Sequence, residues 1–243
     1  MDQPAKLDTE LSEGILTITL SNPATQNTLS GAGTAALRQV IQEVYDNDKI
    51  KSVLLTGTGE TTFATGTQLA ELQTLDELHS RRFAEQGQET MNMIEACHKP
   101  ILAAINGTAS STGLALALAC HLRTATENAT LSFPDVAQGL IPTLGSTQRL
   151  THLVGKAKAL ELMMTGEVLN ADAAKALGIV SHVVSYKEAL IKKSRTLLQT
   201  IMAQDPLAIG MLISCINAAH KPKENGQQIE ANSFAHCCKA ITK

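Results

Sequence analysis

The run from Pro100 to Leu122 contains no aspartate, glutamate, lysine or arginine, and it constrains the fold more than any other part of the sequence. Its length approaches the roughly 20 apolar residues that cross a bilayer. However, the polar, turn-forming stretch Asn106–Gly113 divides it into two apolar pieces, Pro100–Ile105 and Leu114–Cys120. This pattern predicts a buried strand, a glycine-flanked loop and a buried helix rather than a membrane span.

Apolar strands alternate with helices along the first two thirds of the chain. Gly14–Leu20 alternates apolar residues with threonines as a half-buried strand does, Ser30–Asn47 has helical spacing, and Lys51–Thr56 is a second apolar strand. A long polar helix is predicted around Leu75–Cys97, ahead of the uncharged run. This β-α-β-α order predicts an α/β fold whose sheet is at least partly parallel.

The last third of the chain is predicted to be helical. At 243 residues and 44% hydrophobic content, the chain can bury one sizeable core with a smaller appended part. We therefore predict a core over residues 1–185 and a helical C-terminal subdomain over residues 186–243. The apolar faces of the last helices exceed what a small subdomain covers by itself, which predicts a homotrimer or hexamer. These faces include Leu207, Met211 and Leu212.

Composition excludes several classes of protein. The net charge is −3, and two tyrosines, four phenylalanines and no tryptophan leave little for phosphate neutralisation or base stacking, so no nucleic acid partner is expected. Five cysteines, without metal-binding spacing, indicate reduced thiols. The N-terminal residues lack the layout of a signal peptide. We expect a cytoplasmic protein without a metal site and without a membrane partner.

Two loops each follow an apolar strand and lead into a helix, namely Phe63–Leu69 and Asn106–Gly113. At the carboxyl ends of parallel strands, helix N-termini aim unpaired backbone N–H groups outward, so two such loops side by side could hold one oxyanion. The alternative is that both are ordinary turns. Neither contains the Gly-Lys-Ser/Thr of a P-loop or the glycine spacing of a dinucleotide-binding fingerprint.

Several segments together resemble the crotonase, or enoyl-CoA hydratase/isomerase, family. They are Ala103–Ala109, Phe133–Val136, Gly139–Pro142, Gly145–Leu150, Leu153–Ala157 and the early loop Asn22–Leu29. The resemblance covers nearly the whole chain. It implies a spiral of stacked ββα units with a helical C-terminal trimerisation subdomain. It also implies an enzyme of fatty-acid or acyl-CoA metabolism that takes an acyl-CoA substrate and needs no cofactor beyond the coenzyme A of that substrate.

The resemblance also assigns roles to individual residues. The family stabilises a thioester enolate with two backbone N–H groups, which fall at Thr67 and Thr112. Where the family has consecutive glycines, this chain has Ser111 and Thr112, so Thr112 must adopt an ordinary φ or the site is distorted. The Thr112 hydroxyl could also compete for the space. Further substrate-contacting positions fall at Ala24, Thr25, Gln26, Phe63, Ala64, Gln68, Leu69, Gly113, Ala115 and Pro142.

The catalytic carboxylates depart from the family pattern. Hydratases of the family hold a water molecule between two glutamates; the first falls at Ala115, and the second falls at Asp135, which is one methylene shorter. With Asp135 alone as the catalytic residue, moving a proton between C2 and C4 is easier than adding water, and a hydratase activity would be weak. Two alternatives stay open: Asp135 is a helix cap or turn residue, or the protein is a catalytically impaired acyl-CoA-binding homologue or partner subunit.

Overall fold

The computed structural model describes residues 6–221 and 223–241, which form ten strands and ten α-helices. The strands are β1 (Leu7–Ser12), β2 (Ile15–Leu20), β3 (Ser52–Gly57), β4 (Thr62–Ala64), β5 (Ile101–Ile105), β6 (Thr108–Ser110), β7 (Leu122–Thr126), β8 (Thr130–Ser132), β9 (Leu169–Asn170) and β10 (His182–Val184). The helices are α1 (Gly31–Asp46), α2 (Leu69–Leu72), α3 (Glu77–Glu95), α4 (Thr112–Ala119), α5 (Ser146–Val154), α6 (Lys156–Thr165), α7 (Ala171–Ala176), α8 (Lys187–Met202), α9 (Pro206–Ala218) and α10 (Gly226–Ile241).

The strands form two sheets. The larger has the order β1-β2-β3-β5-β7-β10 and is antiparallel only between β1 and β2. The smaller has the order β4-β6-β8-β9 and is antiparallel only between β8 and β9. The successive pairs β3–β4, β5–β6 and β7–β8 each place one strand in each sheet. This repetition is a spiral of ββα units, so the prediction of an α/β fold with a largely parallel sheet is confirmed.

Both predicted loops are shorter than expected because each contains a strand of the smaller sheet. β4 ends at Ala64, inside the predicted loop Phe63–Leu69, and β6 lies within the predicted loop Asn106–Gly113. α4 begins at Thr112, two residues before the predicted start at Leu114. Strands of three residues rich in threonine and serine carry too little hydrophobic periodicity for the sequence to distinguish them from loops.

The uncharged run forms β5, β6 and α4 in the centre of the fold. Every residue of β5 and of α4 is buried. A helix that is apolar all round belongs in a core, and an unpaired charge on it would be costly to bury. Within the described residues no single helix is both long and apolar enough to cross a bilayer, and α8 and α9 meet those criteria only as a pair bent by 106°.

Asn106 ties the end of β5 to the loop that follows β3. Its fully buried side chain accepts a hydrogen bond from the N–H of Gly57 at 2.9 Å through Oδ1. Its Nδ2 donates to the carbonyl oxygens of Gly59 and Thr62 at 3.0 and 3.1 Å. Because each of these hydrogen bonds would be lost if the segments separated, Asn106 holds the two strand-to-helix loops side by side.

The helices beyond residue 185 differ in what they cover. α8 packs on the larger sheet, where Leu190 and Leu198 join Leu54 and other strand residues in a buried cluster. α9 and α10 pack on each other, and Ala218 is the buried residue of α9. The predicted helical C-terminal region is confirmed, whereas the division of the chain at residue 185 stays a prediction.

Candidate active site

Glycines allow the two strand-to-helix loops to touch. A Cβ on Gly113 would lie 2.1 Å from the carbonyl oxygen of Ala64, so only glycine permits α4 to approach β4 this closely. Gly66 is similarly confined, since a Cβ there would lie 2.6 Å from the Cβ of Ser111. The N-terminus of α4 and the loop after β4 are therefore in direct contact.

Thr67 and Thr112, the two candidate oxyanion donors, are hydrogen-bonded to each other. The N–H of Thr67 donates to Oγ1 of Thr112 at 3.1 Å, and the Thr112 hydroxyl donates to the carbonyl oxygen of Leu29 at 3.4 Å. Thr112 is the first residue of α4, so its own N–H is one of the N-terminal amides that lack a helical partner. The amide of Thr67 therefore lies beside the N-terminus of α4 and is occupied by the hydroxyl of Thr112.

The backbone strain at this turn falls on Ser111 rather than on Thr112. Ser111 has φ 49° and ψ −122°, whereas Thr112 is not among the described residues with positive φ. Positive φ is most costly for a β-branched residue, which explains why the serine carries it. The requirement that Thr112 keep an ordinary φ is met.

The early loop Asn22–Leu29 packs against the loop that follows β4. Oγ1 of Thr65 donates to the carbonyl oxygen of Gln26 at 3.1 Å, and the N–H of Leu29 donates to the carbonyl oxygen of Thr65 at 3.3 Å. Oγ1 of Thr67 donates to the carbonyl oxygen of Leu29 at 2.8 Å. The loop that carries the predicted substrate-contacting residues Ala24, Thr25 and Gln26 is thus held beside the candidate oxyanion amides.

Asp135 is buried beside these loops, with 7% of its surface exposed. It is the first residue of the 3-10 turn Asp135–Gln138, after the N-cap residue Pro134, so it is a turn residue rather than a cap, and the turn alternative for Asp135 stays open. Its Oδ1 accepts a hydrogen bond from Oγ of Ser111 at 2.5 Å. Its Oδ2 is buried and has no hydrogen-bond partner among the described residues. This oxygen is therefore a buried acceptor that the surrounding residues leave without a hydrogen bond.

A cavity of about 640 Å³ lies between the early loop, the two strand-to-helix loops and the segment around Asp135. Among the described residues, Asp135 is the only ionisable side chain that lines it. Its lining combines polar loop residues with apolar side chains, as is usual for a site that takes a ligand with an apolar body and a polar reacting group. The apolar lining comes from Leu69, Leu72, Leu75, Phe83, Leu140 and Ile141.

The residues predicted from the sequence to form the site separate into two groups. Those that line the cavity are Gln26, Thr67, Leu69, Thr112 and Asp135. The others lie outside the lining. Phe63, Ala64, Gly113 and Ala115 are buried beneath the loops, Ala24, Thr25 and Gln68 lie at the surface or are half-buried, and Pro142 lines a neighbouring cavity. Their contacts with a substrate stay a prediction.

The sequence does not identify Ser111, or most of the apolar residues that line the cavity, as residues of the site. Leu69, Leu72 and Leu75 recur at a spacing of three, which was an available signal for one face of a short helical segment. Phe83 lies in a helix whose sequence is otherwise mostly polar, so nothing in its neighbourhood points to a ligand. The contact of Ser111 with Asp135 depends on packing between two distant segments and has no local signature.

His121 and Cys120 are structural residues outside the cavity lining. Nδ1 of His121 accepts a hydrogen bond from the N–H of Ile101 at 2.9 Å, and its Nε2 donates to the carbonyl oxygen of Glu95 at 3.1 Å. Burial lowers the pKa of His121 and raises the pKa of the Cys120 thiol to about 12. Both side chains are neutral near pH 7. Among the described residues, no three His, Cys, Asp or Glu side chains are grouped to hold a metal ion.

Two strand-to-helix loops of a ββα spiral that meet beside a buried carboxylate and a partly apolar cavity are typical of crotonase-fold proteins. The sequence leads to the same class. The chain belongs to the enoyl-CoA hydratase/isomerase family, whose sequence profile matches residues 10–240. At the level of the family, this membership supports a hydratase or isomerase activity on an acyl-CoA substrate.

Individual relatives support this assignment along most of the chain. A putative enoyl-CoA hydratase/isomerase of Bacillus subtilis is 40% identical over 211 residues, which cover 87% of this chain and 81% of the relative. The crotonyl-CoA hydratase of Syntrophomonas wolfei is 31% identical over 229 residues, covering 94% and 88% of the two chains.

Solved structures show the same fold. The structure of Pseudomonas aeruginosa DspI matches with a TM-score of 0.91 at 30% identity and covers 99% of this chain and 98% of its own. An enoyl-CoA hydratase of Bacillus anthracis matches with a TM-score of 0.88 at 31% identity, covering 96% and 90% of the two chains. The family and the crotonase-like fold predicted from the sequence are confirmed.

Proposed function

We propose that the protein is an enoyl-CoA isomerase, which moves the double bond of a 3-enoyl-CoA into conjugation with the thioester. The observation that carries this proposal is that Asp135 is the only ionisable side chain lining the cavity within the described residues. Moving one proton between two carbons of the same substrate needs a single acid-base group. Adding water across the double bond needs a second group to position and deprotonate the water, so hydration is expected to be weak.

The proposed reaction uses the carboxylate of Asp135 as the base. Its Oδ1 accepts a hydrogen bond from Ser111 and its Oδ2 is buried without a partner among the described residues, so the side chain must turn toward the cavity to accept the proton from C2. The electron pair of that C–H bond enters the thioester carbonyl to form a dienolate, whose oxygen accepts hydrogen bonds from the N–H groups of Thr67 and Thr112. The carboxylic acid then returns the proton to C4, and the double bond moves from C3–C4 to C2–C3. Each N–H donor contributes about 3 kcal/mol of transition-state stabilisation.

The lining of the cavity suits the acyl part of the substrate. Its apolar residues can bury an acyl chain, and no lysine or arginine in the described part of the chain lines it, so the phosphates of coenzyme A are expected to lie outside it. The loop that carries Ala24, Thr25 and Gln26 is the expected contact for the coenzyme A part. We expect micromolar affinity for acyl-CoA thioesters, about −8 kcal/mol. The proton shuttle balances without an oxidant, a reductant or a cofactor.

Replacing Asp135 with asparagine tests the proposal. Isomerisation of 3-hexenoyl-CoA can be followed through the ultraviolet absorbance of the conjugated product. Asp135→Asn should lower kcat by roughly 100- to 10,000-fold, while calorimetry shows nearly unchanged affinity for butyryl-CoA. Asp172→Asn, which removes an exposed carboxylate on α7, is the control and should leave kcat unchanged. Full activity in Asp135→Asn, or hydration of crotonyl-CoA faster than isomerisation in the native protein, would contradict the proposal.

A second candidate function is acyl-CoA binding without turnover. One observation favours it, namely that the hydroxyl of Thr112 accepts the hydrogen bond of the Thr67 N–H that an enolate would need. Under this alternative the protein binds butyryl-CoA saturably, and neither 2-enoyl nor 3-enoyl thioesters are converted. The Asp135→Asn variant would then be indistinguishable from the native protein in both assays.

A further inference from the structure

We infer that the side chain of Thr112 fills the oxyanion position of the free protein, so that its hydroxyl must leave the N–H of Thr67 before a thioester oxygen can bind there. The inference rests on the proposed function, because it assigns a thioester carbonyl to the two backbone amides. It adds that the side chain of Thr112 determines how much the thioester carbonyl contributes to the binding affinity.

The distance between the two threonines carries the argument. Oγ1 of Thr112 lies 3.1 Å from the nitrogen of Thr67, within the range of an ordinary N–H···O hydrogen bond. A ligand oxygen that accepts from the same N–H must lie at a similar distance and along the same direction. The two oxygens would then occupy one place, so the ligand and the hydroxyl exclude each other at this amide.

The surroundings of Thr112 hold the hydroxyl in place without fixing it strongly. Thr112 is 5% exposed, and its hydroxyl donates to the carbonyl oxygen of Leu29 at 3.4 Å, which is long for such a bond. That carbonyl already accepts a shorter hydrogen bond, at 2.8 Å, from Oγ1 of Thr67. Rotation of the Thr112 side chain therefore removes one good hydrogen bond, to the Thr67 N–H, and leaves the Leu29 carbonyl satisfied.

The consequence is a low preference for ligands that carry a carbonyl group. A thioester must displace the hydroxyl to reach the Thr67 amide, so the gain from its own hydrogen bond is offset by the one that is lost. A thioether of coenzyme A has no carbonyl oxygen and leaves the hydroxyl where it is. The native protein should therefore bind the two ligands with similar affinity.

Calorimetric titration with butyryl-CoA and with the thioether S-butyl-CoA tests this inference. In the native protein the ratio of the two dissociation constants should lie within about threefold, and in Thr112→Ala the thioester should be favoured by about tenfold or more, the equivalent of one hydrogen bond to a preorganised donor. Thr112→Ser keeps the hydroxyl and should behave as the native protein does. Thr112→Val keeps the shape, so it should show no gain. The infrared stretch of a ¹³C-labelled thioester carbonyl should move to lower frequency in Thr112→Ala alone.

Two outcomes would overturn the inference, and they are distinguishable. If the native protein already favours the thioester by about tenfold and Thr112→Ala loses that preference while Thr112→Ser keeps it, the hydroxyl is itself a donor to the carbonyl, and the inference alone fails. If neither ligand binds the native protein or any variant, acyl-CoA recognition fails and the proposed function fails with it. Thr112→Ser retains the hydroxyl, and Thr112→Val retains the size of the side chain. If Thr112→Ala misfolds, the thioester preference can still be compared between these two variants and the native protein.

Discussion

Oγ of Ser111 donates a hydrogen bond to Oδ1 of Asp135 at 2.5 Å, which joins the residue before α4 to a 3-10 turn in a distant part of the chain. Ser111 makes this contact from φ 49° and ψ −122°, the conformation of the first central residue of a type II′ turn, which favours glycine. Strain of this kind persists where the surrounding structure determines it, and it is often found at functional sites. At Ser111 it accompanies the positioning of the only carboxylate that lines the cavity among the described residues.

The strain at Ser111 leads to a prediction about stability. Ser111→Gly should be more stable than Ser111→Ala by about 1 kcal/mol, because both lose the hydrogen bond to Asp135 but only glycine relieves the positive φ. The sequence contains no tryptophan, so urea unfolding should be followed by far-ultraviolet circular dichroism. Equal stability of the two variants, or a more stable alanine variant, would show that the backbone at this position is not strained.

The larger elements of the fold follow from the sequence because each has a strong local signal. β2, β3, β5, α1 and α4 have apolar spacings of two, apolar runs or helical periodicity, and the structure forms all of them. Asparagine is a common helix cap, so Asn170 also has a local signal. In the structure its Oδ1 accepts a hydrogen bond from the N–H of Ala173 at 2.8 Å. The smaller sheet has no such signal, because its strands have two or three residues and pair only with segments far along the chain.

The site can be predicted only in part from the sequence, because some of its contacts form only when distant segments pack together. The family resemblance brings Thr67, Thr112 and Asp135 together, and the structure places all three at one cavity. A resemblance cannot tell which atom occupies which amide, however, because the hydrogen bond between Thr67 and the hydroxyl of Thr112 depends on a side-chain rotamer. The contact between Ser111 and Asp135 likewise appears only when the two segments are packed.

The second prediction is that the protein forms its oligomer through α9. Leu212 and Ile216 of this helix are 59% and 57% exposed, which is unusual for neighbouring large apolar residues on one helix face. Sedimentation should therefore give a trimer or hexamer for the native protein, and Leu212→Glu combined with Ile216→Glu should dissociate it. Val168→Glu, at an exposed apolar residue outside the C-terminal helices, is the control and should not. A native protein that sediments as a monomer at micromolar concentration would rule this out.

The third prediction concerns acid sensitivity caused by His121. Burial lowers the pKa of this imidazole, so the folded protein keeps it neutral, whereas the unfolded chain takes up a proton as the pH falls below about 6.5. The stabilising contribution is therefore complete above about pH 6.5 and decreases by up to about 1.4 kcal/mol per pH unit as the pH falls from there toward the lowered pKa. His121→Gln should show a shallower decrease in the free energy of unfolding, and the exposed control His236→Gln should follow the native protein. The same slope in His121→Gln and the native protein would be inconsistent with this assignment.

The last prediction is that Ala115→Glu destabilises the protein and does not make it a hydratase. Ala115 is fully buried in α4 and does not line the cavity, so a carboxylate there would be removed from water without an evident partner. An unpaired buried charge costs several kcal/mol, whereas the helix N-terminus returns at most about 2 kcal/mol, so the penalty is the larger of the two. Ala115→Gln has the same shape without the charge and should be more stable than Ala115→Glu by about 2 kcal/mol or more at neutral pH.

Because burial raises the pKa of the new carboxyl, this difference in stability should be absent below about pH 4.3 and grow as the pH rises toward the raised value. If Ala115→Glu is instead as stable as Ala115→Gln and hydrates crotonyl-CoA at least about tenfold faster than the native protein, position 115 opens onto the substrate and the prediction is wrong.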